Sequence, residues 1–494
     1  MSLVEHIHAR SEELTSLSGI ISLVQWDQEV MMPARAAEGR AKQLAILSRI
    51  AHRKTIDPAL GALLSEAEAR GNGLAEKDRA LVRVMRRAYD QNSRLPEDFV
   101  AELSSLTSRA LQGWIEARRQ SDFTIFQPLL TEIVAMNRRK AGYLGFKDKP
   151  YDALLDLYEE GLTTAALTTM FNNLQPHLVA MVERAKNMNW PQLEIKDDFA
   201  LAGQVEFSEK ILALIGYDFT RGRQDKSAHP FSTTISHHDR RVTNRFNPRS
   251  LEFIFSALHE GGHGLYEQGI AADLAGTSLD DGVSLGIHES QSRLWENIIG
   301  RSREFWSHVH PELARTFPRQ FQDVDLDTFA ARINTVAPGL IRVEADEISY
   351  NLHVIIRFQL ERDLLDGSIE VNDLPPLWNR LYRDYLGVDV DSDANGVLQD
   401  IHWAHGSLGY FPTYTIGNLA SAQFWHTYCK ADPAWRQTIT SGNFAKIRAW
   451  LTENIYRHGS VYPPETLLER VTGETLNSRY FIDYLNNKFQ QYGL

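Results

Sequence analysis

The chain has 494 residues, 43% of them hydrophobic and 23% charged, with a formal net charge of -12 and one cysteine. That apolar share is too high for a disordered chain, and the acidic balance argues against nucleic acid, which needs a basic face. The lone Cys429 excludes an internal disulfide and a thiolate cluster, so any metal must be held by His and carboxylates.

The opening MSLVEHIHARSEELTSL has no basic run leading into an apolar core, so no signal peptide is expected. No run of about 18 apolar residues predicts a transmembrane helix. A cytoplasmic protein is the expectation. Helical spacing of apolar residues predicts helices over 77–91, 96–119, 163–186, 207–217, 341–365, 443–457 and 477–492. Ser208 and Gly367 read as start and stop signals. β-Branched residues cluster only in 229–246, which predicts a small hairpin or sheet within an α protein. No linker-like or repeated segment stands out, so 1–494 reads as a single helical domain, with two lobes around a groove as the variant.

The segment 247–269, NPRSLEFIFSALHEGGHGLYEQG, carries the chemistry. Asn247-Pro248 reads as its cap and first helical position, and Gly269 as its end. His259 and His263 are four residues apart, so both rings leave one face about 6 Å apart along the axis. Glu260 lies one position on. This is the H-E-x-x-H arrangement, in which two His bind Zn²⁺ and the Glu acts on water. Gly261 and Gly262 permit close approach, at a cost of about 1 kcal/mol each in helix propensity. A catalytic zinc needs a third protein ligand. Glu267 continues the stripe but lies about 12 Å from His259 along the axis, too far to share the ion. No third His follows at the metzincin spacing. The next helical segment, 284–300, offers Glu289 and Glu296, and spacing favours neither.

HEGGH at 259–263 followed by HESQSR at 288–293 resembles the carboxypeptidase Taq family of metallocarboxypeptidases. Similar blocks follow the family order: WDQEVMMP at 26–33, HPF at 229–231, DRRVT at 239–243, IRVEAD at 341–346 and GVLQDIHW at 396–403. The resemblance implies Glu289 as third ligand and leaves Glu296 as a surface or supporting acid. It implies a mainly α, large helical, saddle-like gluzincin peptidase fold with a deep groove, the small hairpin or sheet lying near the active site. It further implies one Zn²⁺ per chain with Co²⁺ accepted, a homodimer, and broad removal of single residues from peptides with a free C-terminus.

The segment 405–418, HGSLGYFPTYTIGN, has a Gly-rich, loop-like start and resembles the tyrosine-bearing loop of helical gluzincins. By that match His405 orients substrate and Tyr414 donates to the oxyanion, with Tyr410 as a further substrate contact. An exopeptidase must bind a free carboxylate, and Arg does so bidentately. Arg342 is the first candidate, with Asp346 four residues on as its expected ion-pair partner, and Arg241 is the second. His229 is a candidate for lining the site, while His237 and His238 read as structural. The competing readings are a helical oligopeptidase or dipeptidyl carboxypeptidase, and a non-enzymatic helical binding protein.

Overall fold

The computed structural model describes residues 2–191, 193 and 197–494. The chain forms two compact units, each gathered from three separated stretches. One comprises Met1–Ser93, Gln192–Ala330 and Gln423–Thr475; the other comprises Arg94–Pro191, Ala331–Ala422 and Leu476–Leu494.

In the first unit the long helix Leu3–Val30 opens with a capping box. Ser2 Oγ accepts from the Glu5 amide, and the Glu5 carboxylate accepts from the Ser2 amide. Leu3 and Ile7 join Leu60, Leu64, Leu81 and Leu274 in a common core. Each such side chain contributes about 1.5–3 kcal/mol on burial. The same helix packs on β2 (Ser232–Ser236), the edge of a three-stranded sheet ordered β1-β3-β2. β1 (Gln224–Lys226) pairs parallel with β3 (Asp239–Asn244), and β2 pairs antiparallel with it, Thr233 opposite Arg241 and Thr234 opposite Arg240. β1 lies outside the segment that its composition marks as strand, since a three-residue Gln-Asp-Lys run carries no β signature. Alternation along β3 sends Arg240 and Val242 towards the helix Glu252–Gln268 and Arg241 the other way, where its guanidinium stacks on Trp26 at 4.3 Å.

The helix Glu252–Gln268 begins four residues later than the Asn247-Pro248 start suggested. The Asn247 side chain accepts from the Arg249 amide at 3.0 Å, making a turn, and Ser250 Oγ accepts from Glu252 N at 3.0 Å. Ser208 is likewise interior: its helix spans Leu201–Ile215, and its hydroxyl bonds back to the Val205 carbonyl. Both helices pack together, and Glu252–Gln268 also packs on Leu285–Arg293.

In the second unit, Glu97–Gln120 lies against Phe123–Leu144, and Ser349–Asp366 lies against Leu374–Leu386 and Thr164–Ala185. The helix expected over 341–365 is shorter than its periodicity implied. A single turn at Arg342–Glu344 is followed by a break, because Asp346 caps the helix that starts at Ser349. Its carboxylate accepts from the Ile348 and Ser349 amides and the Ser349 hydroxyl, which corrects its assignment as the partner of Arg342. Gly367 does end this helix, at φ 79°. Among the described residues, no helix is long and apolar enough to cross a membrane.

Candidate active site

The helix Glu252–Gln268 is buried on nearly every side, so its polar residues are there for a reason other than solvation. His259 and His263 stand one turn apart with ring centroids 5.0 Å from each other. The neighbouring helix can approach because position 262 has no side chain. A Cβ there would lie 2.6 Å from the Gln291 carbonyl oxygen and 2.7 Å from Ser292 Cα. Glu289, on that helix, thereby sets Oε2 at 3.7 Å from His259 Nε2 and 3.6 Å from His263 Nε2. Two atoms bonded at 2.0–2.2 Å to a tetrahedral ion lie about 3.3–3.6 Å apart, so the three donors fit a zinc-sized cation. Among the described residues they form the one group of His, Cys, Asp or Glu side chains close enough to share an ion.

The supporting contacts leave the correct atoms free. His259 Nδ1 meets Glu296 Oε2 at 2.8 Å, so this nitrogen carries the proton and Nε2 keeps its lone pair. Arg293 donates from Nε to Glu289 Oε1 at 2.7 Å and from Nη1 to Glu296 Oε2 at 3.2 Å. Glu296 belongs to a π-helical turn, Leu294–Ile299, which continues the helix Leu285–Arg293. It is a partly buried acid, its side chain 12% exposed, that supports His259. Burial alone would raise the carboxyls of Glu289 and Glu296, but Arg293 and His259 outweigh it. They hold Glu289 below its ordinary range and bring Glu296 down to about 2. Burial works against charge on His259 as well, and there Glu289 and Glu296 prevail and raise its pKa.

Glu260 is different. It is 6% exposed, and no donor among the described residues reaches its carboxylate. Burial pushes it up to about 7. Three carboxylates near the histidines (Glu267, Glu289, Glu296) are pinned by donors, and this one is available.

The remaining candidates lie elsewhere. Arg241 makes a two-pronged ion pair with Asp239, at 2.8 and 2.7 Å, and its side of the sheet is not the one facing the histidines. His229 is exposed, and its carbonyl accepts from Ser227 Oγ. His237 is buried with its Nδ1 2.9 Å from Asp280 Oδ1.

Arg342, Tyr410 and Tyr414 are brought together in the second unit, around an acid that periodicity did not single out. Asp400 Oδ1 accepts from Arg342 Nε and Nη2 at 3.1 and 2.7 Å, and Arg357 Nε donates to Oδ2 at 2.7 Å. Arg342 also donates to the Tyr350 hydroxyl at 3.1 Å and lies 5.0 Å from the Tyr414 ring centroid. The histidine in this group is His402, whose Nε2 is 3.3 Å from the Tyr414 hydroxyl; its ring lies 5.3 Å from that of Tyr410. Burial and the two arginines bring His402 down to about 4, so it is neutral. His405 is exposed at the start of the same segment. Tyr414 itself sits in the first turn of the helix Pro412–Ala431, so the expected loop ends before it.

Asp400 and His402 fall inside the GVLQDIHW block, so a signal for them existed. Arg357, fully buried in the middle of a helix, had none.

The family model described as "Carboxypeptidase Taq (M32) metallopeptidase" matches residues 6–489. Carboxypeptidase 1 of Bacillus subtilis (strain 168) is 38% identical over 481 residues, covering 97% of this chain and 96% of that protein. Thermostable carboxypeptidase 1 of Pyrococcus furiosus is 39% identical over 492 residues, with 98% of each covered. The crystal structure of the M32 carboxypeptidase from Deinococcus radiodurans R1 superposes with a TM-score of 0.98 at 38% identity, covering 100% of both chains. Such a family requires a divalent metal ion and acts on peptides. With full-length matches in sequence and in structure, the chain belongs to the carboxypeptidase Taq (M32) metallopeptidase family and is a metallocarboxypeptidase.

Proposed function

We propose that His259, His263 and Glu289 hold the divalent ion, zinc in the first instance with cobalt as a substitute, and that Glu260 is the general base. The observation that carries this reading is the contrast among the carboxylates near the histidines: Glu289 turns one oxygen to both Nε2 atoms, and Glu260 is the one left without a donor among the described residues. A divalent ion bound there supplies Lewis acidity, lowering the pKa of water and polarising a carbonyl. Glu260 takes the proton from the attacking water and passes it to the leaving amine. Arg293 holds Glu289 Oε1 at 2.7 Å, and Oε2, which accepts only a longer 3.3 Å contact from Ser292 Oγ, is the ligating atom.

On the substrate side, Arg342 is the carboxylate receptor and Tyr414 the oxyanion donor. His405 and Tyr410 are further contacts, and Arg241 and His229 are weaker candidates. The support for Arg342 is charge: Arg342 and Arg357 share a single Asp400, which leaves one positive charge over. Three of the five Arg342 N–H groups are engaged, so two remain for a ligand. Broad specificity for the released residue and a homodimer follow from the family resemblance, and a cytoplasmic location and one folded domain over 1–494, both read from the sequence, complete the reading.

The test compares one peptide with a free and an amidated C-terminus, before and after chelation. Single residues should be released from the free form only, and adding back Zn²⁺ should restore the activity that chelation removes. Internal fragments from the amidated peptide would overturn the exopeptidase assignment.

A further inference from the structure

The two candidate metal-binding histidines are supported in unequal ways. His259 Nδ1 meets a carboxylate directly. His263 Nδ1 instead meets a second histidine, in contact with His288 Nδ1, the rings 4.5 Å apart between centroids. His288 Nε2 lies 2.7 Å from Glu267 Oε1. The chain of contacts then leaves the helix. Glu267 Oε2 accepts from Arg240 Nη1 at 2.8 Å, and Arg240 Nη2 donates to Asp280 Oδ1 at 2.6 Å. Arg240 is 1% exposed and Glu267 4%, so these groups are anchored away from water.

Proton counting decides the direction. Two ring nitrogens in contact share one proton between them. Glu267 accepts from three donors of fixed direction, Arg240 Nη1, Thr234 Oγ1 at 3.1 Å and Gly282 N at 3.2 Å, and His288 Nε2 is its fourth contact. Paired with the buried Arg240 guanidinium, the Glu267 carboxylate is ionised and acceptor only, so His288 Nε2 must carry a proton. In a neutral His288 its Nδ1 is then a lone pair, and the shared proton resides on His263 Nδ1. That is the tautomer whose Nε2 can bind a metal. A carboxylate that orients a ligating histidine is a common support; here a second histidine is interposed.

We propose that His288 and Glu267 are positioning residues for His263, fixing its Nδ1–H tautomer and ring orientation through a carboxylate–histidine–histidine relay anchored by Arg240. The inference rests on the reading of His263 as a metal ligand.

The experiment measures Zn²⁺ affinity of the full-length apoprotein against a chromophoric chelator, together with the visible spectrum of the Co²⁺ form and the melting of the apoprotein. His288→Phe keeps ring volume but removes the acceptor, and should weaken Zn²⁺ binding about 10–100-fold and alter the Co²⁺ spectrum. His288→Asn returns an acceptor oxygen near the Nδ1 position and should recover most of that loss. Glu267→Gln should fall at the lower end of the same range. A merely structural role would lower apoprotein melting and leave affinity and spectrum unmoved, and that result overturns the proposal. If His288→Phe does not fold, parent-like Zn²⁺ affinity in Glu267→Gln overturns it instead. His263→Ala separates the two readings. If it abolishes binding while the His288 and Glu267 variants bind as the parent does, only the relay fails. If His263→Ala also binds normally, the ligand assignment falls.

Discussion

Two buried ionic clusters, one in each unit, use the same residue types and leave opposite charge over. Around His259 and His263, the carboxylates of Glu289 and Glu296 pair with Arg293 while Glu260 has no donor among the described residues, and Arg301 at 3.6 Å from Glu296 is a more distant cation. Around Asp400, one carboxylate faces Arg342 and Arg357, and the neighbouring His402 and His353 are both held neutral by burial and those arginines. A buried charge without a partner is costly, so such a surplus persists where something completes it. The first cluster is short of a cation and the second of an anion. Residual sign therefore says more about what each receives than the count of ion pairs does, and far more than the net charge of the whole chain.

The comparison breaks most visibly at the proposed third ligand. Glu289→Ala should abolish metal retention and activity, whereas Glu296→Ala should retain metal with affinity lowered about 10–100-fold, as read by metal analysis after dialysis. The reverse ranking would mean that the two acids exchange roles. Glu260→Gln should keep full metal content and lose about 10²–10⁴-fold in kcat, because it removes the one unpinned base without touching the ligands. In the second cluster, Asp400→Asn leaves two guanidiniums unpaired and should cost about 3–5 kcal/mol in denaturant unfolding at neutral pH. Its pH dependence sharpens the point. The two arginines hold the Asp400 carboxyl well below its ordinary range despite burial. Its stabilisation is thus complete above about pH 4 and is lost as pH falls towards the depressed folded value. Parent and variant should accordingly converge in acid, and a gap that stays constant down to pH 2 would be inconsistent with this pairing. The smallest effect is expected at Arg342→Met, a roughly 10–100-fold rise in KM for free peptides with kcat less affected. An unchanged KM would move the anion site away from Arg342.

The helices were legible wherever one face is apolar and the ends are marked, as in Glu97–Gln120 and Thr164–Ala185. Legibility failed at 341–365, where apolar spacing runs on through a break that only the Asp346 cap reveals. In the site, the two histidines and Glu260 share one helix, so spacing alone suffices. Glu289 and Glu296 are seven residues apart on one face, and choosing between them needed the family blocks. Arg293, His288 and Arg240 lie inside the quoted blocks, but no role could be given to them because their significance is tertiary: each is defined by a partner 3 to 40 residues away or by the opposite side of a helix–strand contact. The expected Arg342–Asp346 pair shows the same limit, since the true partner is 58 residues distant.

Gly262 bears on how this protein can be engineered. Replacing helical glycines with alanine is a standard route to thermal stability, at a gain of up to about 1 kcal/mol per site. Position 261 is the more forgiving of the pair, since an added methyl meets side-chain tips, Leu212 at 2.6 Å and Ile215 at 3.0 Å, although both are fully buried and must shift to admit it. At position 262 the same methyl would strike main chain at Gln291 and Ser292, which cannot rotate aside. The strain would be relieved by sliding apart the two helices that carry the histidines and Glu289. A stabilisation campaign that treats the paired glycines alike would ask core side chains to repack at one and widen the gap between the histidines and Glu289 at the other.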